Sequence, residues 1–100
     1  MLATLAGAGL VDDARVARGR ASALAGRGWG DAAIAARLEA EGVGEADAAA
    51  ALTGLSPEHE RAAELVAGER DRTRAARLLA RRGFAFDTIE DVVGPVDDAT

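Results

Sequence analysis

Four arginines lie on one face of a predicted helix. Their spacing is i, i+4, i+7, i+11, and the residues are Arg70, Arg74, Arg77 and Arg81. On an α-helix these side chains fall within about 60° of one another. Like charges at such spacing repel each other, and a negatively charged partner would relieve the repulsion. The row therefore predicts a binding site for an anionic partner, with a solvated helix face as the alternative interpretation.

A smaller set of arginines lies on an earlier predicted helix. Arg15 and Arg18 are neighbours on one face and are secondary candidates for binding the same partner. Arg20 and Arg27 flank the apolar side of that helix, and we expect their side chains to extend over the edge of the core. Arg15 is equivalent to Arg70 at an offset of 55 residues, so two related helices carry a basic residue at the same position.

The sequence offers no catalytic constellation. It has no cysteine, which excludes thiolate zinc sites and cysteine nucleophiles. Its one histidine, His59, has no second imidazole for a metal site. The carboxylate pairs Asp12/Asp13 and Glu39/Glu41 fit helix caps and solvated faces, and no nucleophile lies beside a base. We therefore expect an interaction protein, not an enzyme, without a metal, a cofactor or a small-molecule substrate.

The composition favours a helical domain with uneven charge. About a quarter of the residues are alanine, tyrosine is absent and there are only 2 prolines. The net charge of −5 argues against nonspecific nucleic-acid binding, yet residues 70–82 carry six arginines against one acid. The N-terminus lacks a basic segment, and no stretch reaches the roughly 20 apolar residues of a membrane span. We expect a soluble cytoplasmic protein.

Glycines and capping residues divide the chain into six or seven predicted helices. The predicted ranges are 2–8, 13–27, 30–42, 45–54, 57–67 and 69–82, with a last helix that ends at Gly94. Ser56 is the predicted N-cap of the fifth helix, and Asp87 and Glu90 have the spacing of a capping box in the last. Gly68 leaves open whether 57–82 is one helix or two.

A signature occurs twice, at an ungapped offset of 55 residues. In each copy a basic helix ends at an Arg-Gly pair, an aromatic residue follows, and an isoleucine lies in the next helix. The residues are Gly28, Trp29 and Ile34 in the first copy and Gly83, Phe84 and Ile89 in the second. Glycine permits a left-handed turn, under which the aromatic and the isoleucine pack. These duplicated corners predict tandem three-helix units stacked side by side.

Four corner residues admit a second interpretation. Trp29 and Phe84 could stack on bases, but their place directly after a glycine favours anchoring in the core. Arg27 and Arg82 are expected to serve C-terminal helix carbonyls rather than a partner. The predicted interior comprises Leu24, Trp29, Ile34, Leu38, Leu79, Phe84 and Ile89.

The chain resembles the RecX family, the regulatory proteins that act on the RecA recombinase. The resemblance spans about residues 2–94 and is carried by the segments "GLVDDARVARGRASALAGRGWGDAAIAARLEAEGV", "ERAAELVAG" and "LARRGFAFDTIEDVV". It implies an all-α fold of tandem three-helix repeats in an elongated, curved stack. It also implies a monomeric, non-catalytic regulator of recombination, DNA repair and the SOS response. Such a protein would bind the RecA–DNA filament and restrain ATP hydrolysis, strand exchange and filament growth.

The resemblance also predicts the domain organisation. The expected parts are 2–8 as the last helix of a partial first repeat, 13–54 as the second repeat, 56–94 as the third, and 95–100 as a disordered acidic tail. By comparison with the family, we expect the two leading helices of the first repeat to be missing. Val16 stands where an aromatic is usual, and Asp31 stands where proline is usual. Two alternatives stay open: a free-standing nucleic-acid-binding helical protein, and a truncated, non-functional remnant. Whether Met1 is the true start stays open as well.

Overall fold

Six α-helices make up the part of the protein that the computed structural model describes, residues 13–94. They are α1 (Asp13–Gly26), α2 (Asp31–Ala40), α3 (Glu45–Thr53), α4 (Glu58–Leu65), α5 (Arg72–Arg81) and α6 (Phe86–Val93). The described residues contain no β-strand, which confirms the predicted all-α class. The structure is elongated and measures 59 × 18 × 16 Å along its principal axes. The predicted helix over 2–8 and the predicted tail over 95–100 lie outside the described residues.

The helices form two groups of three, each with its own core. In the first unit α1, α2 and α3 all pack against one another, and in the second α6 packs on both α4 and α5. The buried core of the first unit comprises Ala17, Ala21, Leu24, Ile34, Leu38, Val43, Ala48 and Ala51. The second core comprises Ala62, Leu79, Phe84 and Ile89. Half of the buried residues in the first core are alanines. The helices of the first unit therefore have few large side chains between them and can approach closely.

Both Arg-Gly-aromatic corners contain a glycine with left-handed backbone. The φ angle is 92° at Gly28 and 85° at Gly83, a region that costs other residues about 1–2 kcal/mol. Beneath the turns Ile34 and Phe84 are buried, with exposed fractions of 0% and 6%, while Trp29 is half-buried against the first core. The aromatic and isoleucine side chains therefore close the ends of the two cores.

The two corners occupy different places in the two units. The offset of 55 residues relates α1 and α2 to α5 and α6. The first corner therefore joins helices one and two of its unit, whereas the second joins helices two and three. As a result, the duplicated sequence does not repeat the order of helices within a unit.

The segment between α4 and α5 is not helical, and this corrects the predicted position of Arg70. Residues 66–71 separate the helices, so 57–82 is two helices and Arg70 precedes α5. The Asp71 carboxylate accepts hydrogen bonds from the backbone N–H groups of Thr73 and Arg74, at 2.9 and 3.2 Å. This N-cap fixes the beginning of α5 at Arg72, and the predicted start at 69 was wrong.

Two predicted N-caps were also wrong. The N-cap position of α4 is Pro57 and not Ser56, and no side chain caps this helix. Helix α6 begins at Phe86 without the capping box predicted for Asp87 and Glu90. Its N-terminal hydrogen-bonding groups are served instead by a carboxylate from another helix, described below.

Candidate partner-binding surface and the adjoining junction

The exposed face of α5 carries three of the predicted arginines. Arg74, Arg77 and Arg81 are exposed, while Ala75 and Leu79 point into the core. The three arginines line an open groove of about 250 Å³ together with Glu69 and Leu78. Their side chains make no ion pair or hydrogen bond with any of the residues 13–94. The guanidinium groups of this groove are therefore free to bind an external anion.

The one carboxylate in the groove does not pair with these arginines. Glu69 Oε2 accepts a hydrogen bond from the backbone N–H of Asp71, at 3.0 Å. The Asp71 carboxylate is in turn engaged by the backbone of α5. The local charge of the groove is consequently positive in a protein whose net charge is −5, a contrast that can orient an anionic partner.

The other predicted partner-binding arginines lie apart from this groove. Arg70 is exposed in the segment before α5 but does not line the groove. Arg15 and Arg18 are exposed on α1, in the other three-helix unit. The structure thus brings together Arg74, Arg77 and Arg81 and leaves the remaining three at separate positions.

Arg20 has a different role from the one expected of it. Instead of extending over the core, its guanidinium pairs with the Glu41 carboxylate through Nε–Oε1 at 2.9 Å and Nη2–Oε2 at 2.5 Å. The hydrogen bond from Arg20 lowers the pKa of Glu41 below its ordinary value. This two-point contact ties the middle of α1 to the C-terminal end of α2.

Arg82 serves a helix carbonyl, but that of the opposite unit. Its Nη1 donates to the carbonyl oxygen of Arg27 at 2.8 Å, just past the C-terminus of α1, where the helix dipole favours a cation. The guanidinium also lies over the Trp29 ring, 5.0 Å from the ring centre. Arg27 itself is exposed, and its side chain contacts no described residue through a hydrogen bond or ion pair.

The two corners face each other across the junction between the units. The backbone N–H of Gly30 donates to the carbonyl of Arg82 at 2.7 Å, and that of Ala32 donates to the carbonyl of Gly83 at 3.2 Å. The C-terminal carbonyls of α5 therefore meet the N-terminal N–H groups of α2. These hydrogen bonds give partners to N–H and carbonyl groups that have none within their own helix. The negative C-terminal end of α5 and the positive N-terminal end of α2 also attract each other.

Arg61 adds a second set of hydrogen bonds to this junction. Its Nη1 donates to the carbonyl of Trp29 at 3.1 Å and its Nε to the carbonyl of Ser56 at 3.0 Å. Its Nη2 forms an ion pair with the Asp31 carboxylate. Only 11% of the Arg61 side chain is exposed, and its bonds to Trp29 and Asp31 are partly buried.

Glu58 completes the junction by reaching two helix N-termini. Oε2 accepts from the backbone N–H of Asp31 at 2.8 Å. Oε1 accepts from the Thr88 hydroxyl at 2.5 Å and, at 3.4 Å, from the backbone N–H of Ala85. One carboxylate of α4 therefore serves both α2 and α6.

The sequence interpretation missed Glu58 and Arg61. An acid in the first turn of a helix is explained by the dipole of that helix alone, so nothing about Glu58 points elsewhere. No local spacing relates residue 58 to residues 31 and 88, which approach it only when the units pack. The sequence gives only an indirect signal. It contains two corners, and each of them leaves backbone groups at helix ends that need hydrogen-bond partners.

Over residues 13–94 these features define an all-α protein of two packed helical units with an unpaired basic groove on α5. No family model matches the chain. A curated protein, "Regulatory protein RecX" from Chromohalobacter salexigens, is 37% identical over 98 residues, which cover 89% of this chain and 64% of that protein. The chain is a relative of that regulatory protein, and the match fits a member of the RecX family. The resemblance drawn from the sequence is thereby confirmed.

Two kinds of site are absent from residues 13–94. These residues hold no group of three or more His, Cys, Asp or Glu side chains placed to bind a metal ion. Over the same part of the chain, no helix has the length and apolar character needed to span a membrane.

Proposed function

We propose that this protein is a regulator of the RecA recombinase that binds the RecA–DNA filament and lowers its activity without catalysing a reaction. The observation that carries the proposal is the row of exposed, unpaired arginines on α5, in a chain related to a protein named as a RecX regulatory protein. The chain spans 64% of the length of that relative, so the activity of the whole relative extends to this chain only as part of the proposal.

The α5 groove is the proposed primary contact. Arg74 and Arg81 are seven residues apart, which corresponds to about 10 Å along a helix, with Arg77 between them. Charge-assisted hydrogen bonds from guanidinium to carboxylate or phosphate are among the stronger hydrogen bonds in proteins. A RecA filament offers both acidic protein surface and DNA phosphate. Arg70, Arg15 and Arg18 are proposed as secondary contacts.

The remaining features of the proposal follow from the family. We propose a cytoplasmic monomer that acts in recombination, DNA repair and the SOS response, with no cofactor or small-molecule substrate. Packing within each unit needs no second copy of the chain, since each group of three helices has its own buried core.

The direct test is the ATPase activity of RecA on single-stranded DNA, measured with and without this protein. We expect inhibition by the wild type and weaker inhibition by the double variant Arg77→Gln/Arg81→Gln. The matched control is Arg27→Gln/Arg37→Gln, which removes the same charge from two exposed arginines outside the groove. The control should inhibit like the wild type.

Three outcomes would contradict the proposal. Absence of any effect at large molar excess would favour a non-functional chain. Equal loss of inhibition in both double variants would mean that total charge, and not the groove, matters. Binding to DNA without RecA, with a log–log salt slope of about one unit for each phosphate contact, would favour a free-standing nucleic-acid binder.

A further inference from the structure

Glu58 hydrogen-bonds to the N-termini of helices in both units. It lies in the first turn of α4, and its two oxygens diverge to Asp31 N–H in the first unit and to Thr88 Oγ1 in its own unit. The bonds are 2.8 and 2.5 Å long. Because both bonds are short and share one carboxylate, a movement of either unit relative to the other would lengthen one of them.

We propose that Glu58 is a positioning residue that holds the two three-helix units, and with them the basic surfaces of α1 and α5, at one fixed angle. The consequence for partner binding rests on the proposed function, whereas the effect on the angle does not. A ligand surface that touches both units binds more tightly when the units are already oriented, because less freedom is lost on association.

The chemistry of a carboxylate explains why this position needs glutamate. The N-terminus of α2 and that of α6 each present backbone N–H groups and a partial positive charge. A carboxylate has two acceptor oxygens and a negative charge, so it can serve both ends at once. Glutamine would offer one acceptor oxygen. With that oxygen on the Asp31 N–H, its NH₂ group could donate to the Thr88 hydroxyl, which accepts as well as donates, but glutamine could not accept from the Ala85 N–H as well and would lack the negative charge.

The arginines of the junction do not replace this link. Arg61 donates to Trp29 and Asp31 of the first unit and to the segment before its own helix, and none of these acceptors lies in α5 or α6. Arg82 extends from the end of α5 and reaches only the first unit. Without Glu58, the N-terminus of α6 therefore loses its side-chain link to α4 and, through the same carboxylate, to α2.

The test is a distance distribution between spin labels on the two units, measured by pulsed electron paramagnetic resonance. The sequence has no cysteine, so Ala49→Cys on α3 and Ala80→Cys on α5, both exposed, give two unique attachment sites. The matched control is Glu60→Ala, since Glu60 lies in the same first turn, is exposed, and makes no side-chain hydrogen bond to a described residue.

We expect one narrow distance in the wild type and in Glu60→Ala, and a broadened or shifted distribution in Glu58→Ala. Glu58→Gln should be intermediate. If Glu58→Ala does not fold, Glu58→Asp keeps the negative charge in the first turn of α4 but shortens the side chain by one methylene group. This should withdraw the carboxylate from the Asp31 N–H and also broaden the distribution. A distribution unchanged from the wild type in Glu58→Ala, or in Glu58→Asp where Glu58→Ala is unfolded, would overturn the proposal.

Filament binding provides a second readout. Where the wild type binds the RecA filament, Glu58→Ala should bind more weakly by about tenfold or more. Such a loss is part of the roughly 10²- to 10⁴-fold gain that two linked contact surfaces bring when they engage together. Glu60→Ala should bind normally. A wild type that does not bind RecA would refute the proposed function and leave the distance experiment as the test of Glu58.

Discussion

Replacing Gly30 by alanine should separate the two units for steric reasons alone. A Cβ atom at Gly30 would lie 2.5 Å from the carbonyl carbon of Gly83 and 2.5 Å from the backbone nitrogen of Phe84. Backbone atoms of a helix corner cannot move aside cheaply. The Gly30 backbone, with φ −86° and ψ 171°, suits alanine, so no conformational strain confuses the result.

The magnitude follows from the hydrogen bonds that the substitution breaks. Pushing the corners apart disrupts the bonds from Gly30 N–H to Arg82 and from Ala32 N–H to Gly83, which are together worth about 1–3 kcal/mol. Residual overpacking adds about 1–3 kcal/mol. Alanine also lowers the conformational entropy of the unfolded chain. This stabilises the folded protein by about 0.4–1 kcal/mol and offsets part of the loss. We therefore expect Gly30→Ala to lower the free energy of unfolding by about 1–6 kcal/mol.

The control is the same substitution at Gly19. Gly19 lies within α1, and nothing comes within 4 Å of a Cβ placed there. Because alanine is the better helix former, Gly19→Ala should raise the free energy of unfolding by about 0.5–1 kcal/mol. Urea unfolding followed by circular dichroism measures both variants. A Gly30→Ala protein as stable as Gly19→Ala would refute the close packing of the two corners.

Three further predictions concern other parts of the fold. Phe84→Ala should cost about 3–5 kcal/mol in unfolding experiments because the ring is buried, and Trp29→Ala should cost less because that ring is half-buried; equal costs would contradict this. The hydrogen bond from Arg20 lowers the pKa of Glu41 in the folded protein. The contribution of Glu41 to stability is therefore present above its ordinary pKa and is lost as the pH falls through its pKa in the folded protein. Glu41→Gln should therefore lose less stability than the wild type when urea midpoints are compared between about pH 6 and about pH 3, and parallel losses would exclude this linkage. Asp71→Ala should destabilise α5 by about 1 kcal/mol, seen as lower helicity near the transition, and an unchanged urea midpoint would exclude Asp71 as a working N-cap.

The all-α class and the corners could be predicted because their determinants are local. A glycine that ends a helix and an aromatic beside it act over a few residues, and the left-handed turns at Gly28 and Gly83 are found where the duplicated signature lies. The start of α5 was missed because Asp71 was not recognised as its N-cap. Asp71 binds the N–H groups of Thr73 and Arg74, and this leaves Arg70 outside the helix.

The junction could not be predicted because its determinants are distant in sequence. Glu58 and Asp31 are 27 residues apart and Glu58 and Thr88 are 30 apart, with no periodic pattern that relates them. Arg82 could be assigned to a helix carbonyl by its place beside a glycine. That the carbonyl belongs to Arg27, 55 residues away, follows only from how the two units pack.

The exposed face of α5 could be predicted from spacing, since Ala75 and Leu79 occupy its buried side. What the face binds is a separate question, because the sequence and the fold of a helix give the positions of the charges and not the identity of their partner. That question is open to a direct measurement.

The most direct measurement is the affinity of this protein for RecA filaments on single-stranded DNA at physiological salt. It compares the wild type with the variant in which Arg70, Arg74, Arg77 and Arg81 are all replaced by glutamine. Glutamine preserves helix propensity and removes only mutual repulsion, so the variant should remain folded by circular dichroism. We expect its affinity to fall by about tenfold or more, since each lost charge-assisted hydrogen bond is worth on the order of 1.5–3 kcal/mol at best. Unchanged affinity in a folded variant would show that this face of α5 is simply solvated and that the partner binds elsewhere.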